Sequence, residues 1–218
     1  MPSAAGLTGE LGSAVFVRRS SRPSRRAVLH LHDLTDSFAP TDLARWYNER
    51  AFHFYVADLD PRQSLEPPSR RRPARSRQSC FAELDSACAY LREAEGIDAI
   101  ILSAHGPAGP IAAQWCAARR DQRPVGALIL SAPKFGRGLP GSLDIDCPVL
   151  VICPAGGNAP GRRGRRSSAA IRLGQHVTWL HLADAAEGDS PADRKRLFDE
   201  MGRWLGAYMY GQLRDQLL

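Results

Sequence analysis

Residues 98–111 read Asp-Ala-Ile-Ile-Leu-Ser-Ala-His-Gly-Pro-Ala-Gly-Pro-Ile, and their order predicts a buried strand, a sharp turn and the start of a helix. Ala99-Ile100-Ile101-Leu102 is a short, continuous apolar run, the pattern of a strand covered on both faces. Gly106 and Pro107 break that run, and the small and apolar residues beyond them open a helical pattern. A turn of this shape presents whatever residue stands at its tip. Here the tip is Gly106.

Outward from this segment, short β-rich runs alternate with helical stripes. Strands are predicted over 13–18, 27–32, 53–58, 98–103, 127–131, 148–153 and 177–182. Helices are predicted over 42–51 (capped by Thr41), 80–95, 107–119, about 167–174, and a last one with Pro191 in its first turn. The 80–95 stripe is Phe81, Leu84, Ala87/Cys88 and Leu91; the last helix carries Leu197, Met201, Trp204/Leu205 and Tyr208. Such alternation is the signature of an α/β fold with a mostly parallel sheet, here of about seven strands, and helices on both faces. One domain is expected over 1–218, with 1–12 flexible and Arg-rich loops over 62–78 and 154–166.

Composition narrows the class. Of 218 residues, 44% are hydrophobic and 7% aromatic, which are values for a globular chain with a sizeable core. Five cysteines without C-x-x-C spacing suit reduced core residues. Met1–Leu11 lacks a charged region followed by an apolar one, and no apolar run approaches the roughly 20 residues of a membrane span. A cytoplasmic protein is expected. No His, Cys, Asp or Glu cluster has metal-ligand spacing, so neither metal nor cofactor is expected. The net charge of +6 comes almost wholly from arginine, since only Lys134 and Lys195 are lysine. Arginine in place of lysine, with abundant Ala, Gly and Pro, is also what a GC-rich gene produces.

The order of elements and signposts resembles the α/β-hydrolase superfamily. More narrowly it resembles the lysophospholipase and monoacylglycerol-lipase-like (serine aminopeptidase-type) hydrolases of actinobacteria. Ala27–Phe38 (AVLHLHDLTDSF) resembles the strand and loop that carry an oxyanion donor, and Tyr55–Leu59 (YVADL) the end of the next strand. Ala104–Gly109 (AHGPAG) resembles the nucleophile elbow, Leu130–Pro133 (LSAP) the N-S-P that follows, and Cys147–Ile152 (CPVLVI) the strand before the triad acid. Arg196–Tyr208 resembles the closing helix.

The departures from that pattern all fall on its chemistry. The nucleophile position is Gly106, and Pro107 has no backbone N–H to give an oxyanion hole. His32-Asp33 puts a carboxylate where preorganised donors are needed. Pro154-Ala155-Gly156-Gly157 offers no triad acid, and Ala183–Ser190 offers no histidine, with Glu187 about where one is expected. Ala132–Cys147 is too short for the helical cap that shields lipase substrates from water. The resemblance therefore implies a pseudoenzyme that binds a ligand or partner at a vestigial site lined by His32, Asp33, His105, Gly106 and Pro107.

A second reading is an enzyme of altered chemistry (lyase, isomerase, cyclase or non-triad hydrolase) using Asp33 and His32 as acid and base. Against it, aspartate after a strand is commonly a turn residue. Cys153 and Ser131 also stand at predicted strand ends, but a free cysteine closing an apolar strand is ordinarily buried and inert. His105 reads as a packing and hydrogen-bonding residue and His30 as a satisfied core histidine; His53 and His176 fall at strand starts.

Arg62, Arg70, Arg71, Arg72, Arg75 and Arg77 follow one predicted strand end, and Arg162, Arg163, Arg165 and Arg166 another. In a parallel sheet both segments leave the same edge, where a basic rim attracts an anionic small molecule or an acidic protein partner. With no aromatics interleaved, stacking on nucleic acid bases is not expected. The competing reading is that these are solvated loops of a GC-rich gene.

Overall fold

The computed structural model describes residues 14–32, 40–58, 77–135, 142–153, 173–174, 176–181 and 191–215. In chain order these form β1 (Ala14–Arg18), β2 (Arg26–His32), α1 (Pro40–Glu49), β3 (His53–Asp58), α2 (Arg77–Glu93), β4 (Ala99–His105) and α3 (Ala108–Ala118). A single 3₁₀ turn (Arg120–Gln122) precedes β5 (Ala127–Ser131), β6 (Val149–Cys153), β7 (Val177–His181) and α4 (Pro191–Asp215). The strands make one seven-stranded sheet in the order β1-β3-β2-β4-β5-β6-β7. β1 runs antiparallel to β3 and every other pairing is parallel.

The alternation of side chains along each strand explains the two layers. Leu29, Leu31, Leu102, Leu128, Leu130 and Val151 are packed with Leu84, Leu91, Ala112 and Trp115 of α2 and α3. The intervening residues Val28, Phe54, Ile101, Ile129 and Leu150 meet Leu43, Tyr47, Leu197, Met201 and Leu205 of α1 and α4. Both faces of the parallel sheet are thus covered, which is why its central strands read as unbroken apolar runs. The chain starts at one edge with β1, enters the sheet interior at β2, returns outward to β3 between them, then crosses back to β4 on the other side of β2. That reversal makes the carboxyl ends of β2 and β4 the topological switch point, the place where open α/β sheets bind their ligands.

Several boundaries differ from the sequence expectation. β4 continues through Ala104 and His105, because Ala104 still pairs with Leu31 and Leu130 and His105 with Ser131. α3 accordingly starts at Ala108, with Pro107 as its N-cap residue. α1 begins at Pro40, so Thr41 is inside the helix and not its cap. It ends where Ala51 takes φ +60° and the Phe52 and Ala51 amides bond back to the Tyr47 and Asn48 carbonyls. α2 absorbs Arg77 and Gln78, which were expected in the loop, and stops two residues short of Glu95.

Of the short helix expected over 167–174, only Leu173 and Gly174 are described, and neither is helical. Gly174 takes φ +90° and lies so close to the Ile145 carbonyl that no Cβ would fit. β7 ends at His181. No described helix is long and apolar enough to cross a membrane.

Candidate functional site

The site is built at the end of β4. Gly106 sits in the left-handed region at φ +53°, in the turn between β4 and α3. Its N–H donates to the Ser131 carbonyl at 2.9 Å, and its own carbonyl accepts from Gly109 (3.2 Å) and Lys134 (3.1 Å). The turn is therefore held from both sides. A Cβ placed on Gly106 would find nothing within 4 Å, so the tip faces open space. Gly109 is different: a Cβ there would lie 2.9 Å from the Pro133 Cβ, so only glycine lets the first turn of α3 press on the loop after β5. Pro107, exposed at φ −65° and ψ −23°, costs the helix nothing at its N-cap but contributes no N–H.

No protein-family model matches the sequence, and the curated proteins give no match either. Among solved structures, the monoacylglycerol lipase of Paleococcus ferrophilus superposes with a TM-score of 0.63 at 15% identity, over 88% of this chain and 98% of that one. Est1E from Butyrivibrio proteoclasticus gives 0.62 at 11% identity over 91% and 99%. An alpha-beta serine hydrolase homologue from Coxiella burnetii gives 0.55 at 14% over 78% and 80%. The chain has the α/β-hydrolase fold. Gly106 stands at the tip of this chain's strand–turn–helix turn after β4.

The other residues expected at this hydrolase-fold edge divide into three groups. Gly106, Pro107 and His105 are together at the elbow, with His105 half-buried as the last residue of β4 and in register with Ser131 of β5. His32 ends β2, in register with Asp58 of β3, so its backbone lies at the same edge. Asp33, Glu187, Arg70, Arg71, Arg72, Arg162 and Arg163 lie outside the described residues. The strands that precede the two arginine segments, β3 and β6, both run parallel to the strands between them, so both segments start from this edge. Four interstrand steps separate those exits, about 19 Å at the usual spacing.

Cys153 ends β6 and is buried, and burial raises the pKa of its thiol, the opposite of nucleophile activation. Among the described residues no group of three or more His, Cys, Asp or Glu could hold a metal.

Two features escaped the sequence. Ser103, three residues before the tip, is buried in β4 with its Oγ 3.1 Å from His30 Nδ1, and the His30 ring stacks on Phe54. Alternation put a polar residue on each of two neighbouring strands, but only the register, His30 opposite Ser103, makes them partners. His30 is thus the satisfied core histidine that the sequence indicated. His181 is the second feature. It closes β7 in register with Cys153, two residues earlier than the segment in which a histidine was sought. The signal was present: the strand V-T-W-L-H is one residue shorter than its apolar run.

Proposed function

We propose that this chain is a pseudoenzyme of the α/β-hydrolase fold that binds an anionic ligand at the carboxyl edge of its sheet and does not cleave esters. The observation that carries the reading is the elbow tip. Gly106 holds the backbone conformation of a nucleophile without a nucleophile, and the next residue, Pro107, lacks the N–H that would stabilise an oxyanion. The open space at the tip suits occupation by a ligand group. The exposed Lys134, anchored through its N–H to the Gly106 carbonyl, adds a positive charge beside it. Arg70, Arg71, Arg72, Arg162 and Arg163 supply the rest of the attraction, and His32, Asp33 and His105 complete the lining.

Purified protein is expected to show no turnover of p-nitrophenyl acetate or butyrate above buffer, and no labelling by a fluorophosphonate probe. Labelling of a serine in the folded protein that disappears on denaturation would overturn the reading. Ser131 and Ser103 are the positions to inspect. A second reading, an enzyme of altered chemistry, rests on the histidines ending β4 and β7, which stand in register with Ser131 and Cys153. Probe labelling at Ser131 or Cys153 would move the assignment there.

A further inference from the structure

The opposite end of the sheet, at the amino ends of β4, β5, β6 and β7, holds a cavity of about 700 Å³. Cys116 from α3 and Cys147 from the segment before β6 both line it, together with Arg120, Arg123 and His176. Cys116 is buried at 4% exposure, whereas Cys147 is half-buried. The two thiols interact with each other, and all five cysteines of the chain are free. Nothing in the elbow chemistry uses this pair.

We propose that Cys116 and Cys147 are a redox pair in which a small hydroperoxide entering the basal cavity oxidises Cys147 and Cys116 resolves it to a disulfide. The asymmetry of the pair assigns the roles. Cys147 is the member the cavity exposes, and the Cys116 S–H, donating to the Cys147 sulfur, holds the Cys147 pKa below the usual thiol value. Cys116 is raised in turn, chiefly by the same hydrogen bond and by burial, so it stays protonated. The other cysteines are buried, and burial pushes Cys88 up to about 12 and shifts Cys153 in the same direction, whereas Cys147 is the half-buried one.

The chemistry balances with hydrogen peroxide as oxidant. The Cys147 thiolate attacks one peroxide oxygen, the O–O bond breaks, and hydroxide leaves to take a proton from solvent. The product is a sulfenic acid. The Cys116 sulfur then attacks the Cys147 sulfur, the S–O bond breaks, and the departing hydroxyl takes the Cys116 proton as water. Two thiols give up two electrons and two protons, and one peroxide becomes two waters. Because Cys116 faces the same cavity, the second step is intramolecular and outcompetes further oxidation to the sulfinic acid.

The test uses the full chain, treated with stoichiometric hydrogen peroxide, alkylated and mapped by non-reducing peptide mass spectrometry with fragmentation. The expected result is one Cys116–Cys147 crosslink, lighter by two hydrogens and reversed by dithiothreitol, with Cys80, Cys88 and Cys153 still alkylated. In Cys116→Ser, dimedone should label Cys147. Three results would overturn the proposal: a bond to Cys88 or Cys153, sulfinic acid at Cys147 with Cys116 still alkylated, or five free thiols after tenfold excess peroxide. The wild-type map decides the matter even if the variant does not fold.

Discussion

Gly106 combines a φ of +53° with open space around the absent Cβ. The cost of any side chain there is therefore conformational and not a clash, of order 1 kcal/mol for a residue forced into the left-handed region. A catalytic serine would bear that strain as part of its presentation; glycine avoids it. Gly106→Ser is accordingly expected to lower stability by about 1 kcal/mol in urea unfolding, and to leave p-nitrophenyl ester hydrolysis at background. The second half follows from Pro107, whose ring nitrogen offers no proton to a tetrahedral oxyanion. Esterase activity gained from that one substitution would show that the remaining machinery of a hydrolase survives in this chain. Ala132, at φ +45° just after β5, bears a comparable strain on the neighbouring loop, where Pro133 meets Gly109.

Between elements, α2 and α3 are tied by a clamp that the hydrophobic stripes do not reveal. Asp85 accepts from Arg119 Nε and Nη2 at 3.0 and 2.8 Å and from Trp115 Nε1 at 2.9 Å. The Arg119 hydrogen bonds, against a smaller opposing effect of burial, hold the Asp85 carboxyl below its ordinary value of 3.8. A carboxylate whose pKa is depressed on folding contributes stability above its unfolded pKa, and that stability is lost as pH falls through the folded value. Asp85→Asn should thus cost about 1 kcal/mol or less at pH 7, since the pair is partly exposed, and the gap from wild type should close below about pH 4. An equal gap at pH 7 and pH 3 would remove the ionised carboxylate from the account.

The elements themselves were legible because Ile100–Leu102, Leu128–Leu130 and Val149–Ile152 are buried on both faces and carry no competing pattern. Their ends were less so. Ala104 and His105 are small and polar residues that only inter-strand pairing keeps extended, and the Asp85 clamp and the His30–Ser103 bond join residues 34 and 73 positions apart. The elbow could be read because glycine and proline punctuate it; the pairing of Cys116 with Cys147 could not, since their meeting depends on how α3 lies against the start of β6.

For the molecule as a whole, parallel strand polarity decides where charge accumulates. β3 and β6 end at the same edge as β4, and the chain then enters two segments rich in arginine, ten in all over 62–77 and 162–166. These ten arginines exceed the whole chain's net charge of +6, so its positive balance resides in the two segments and the remaining residues are slightly acidic on balance. If that edge binds anions, the interaction is carried by exposed charges whose reach is about 8 Å at physiological ionic strength. Affinity for a polyanion such as inorganic polyphosphate should then fall steeply between about 50 and 200 mM salt. Replacing Arg70, Arg71, Arg72, Arg162 and Arg163 by alanine should weaken it by roughly tenfold or more and flatten the salt dependence. The melting temperature should stay within about a degree, because substitutions on solvated loops rarely change stability by more than ~0.5 kcal/mol. Fluorescence anisotropy with labelled polyphosphate at two salt concentrations measures both effects. Unchanged affinity in the five-fold variant would reduce the arginines to a compositional trait of the gene, and would leave Lys134 and the elbow to account for any binding that remained.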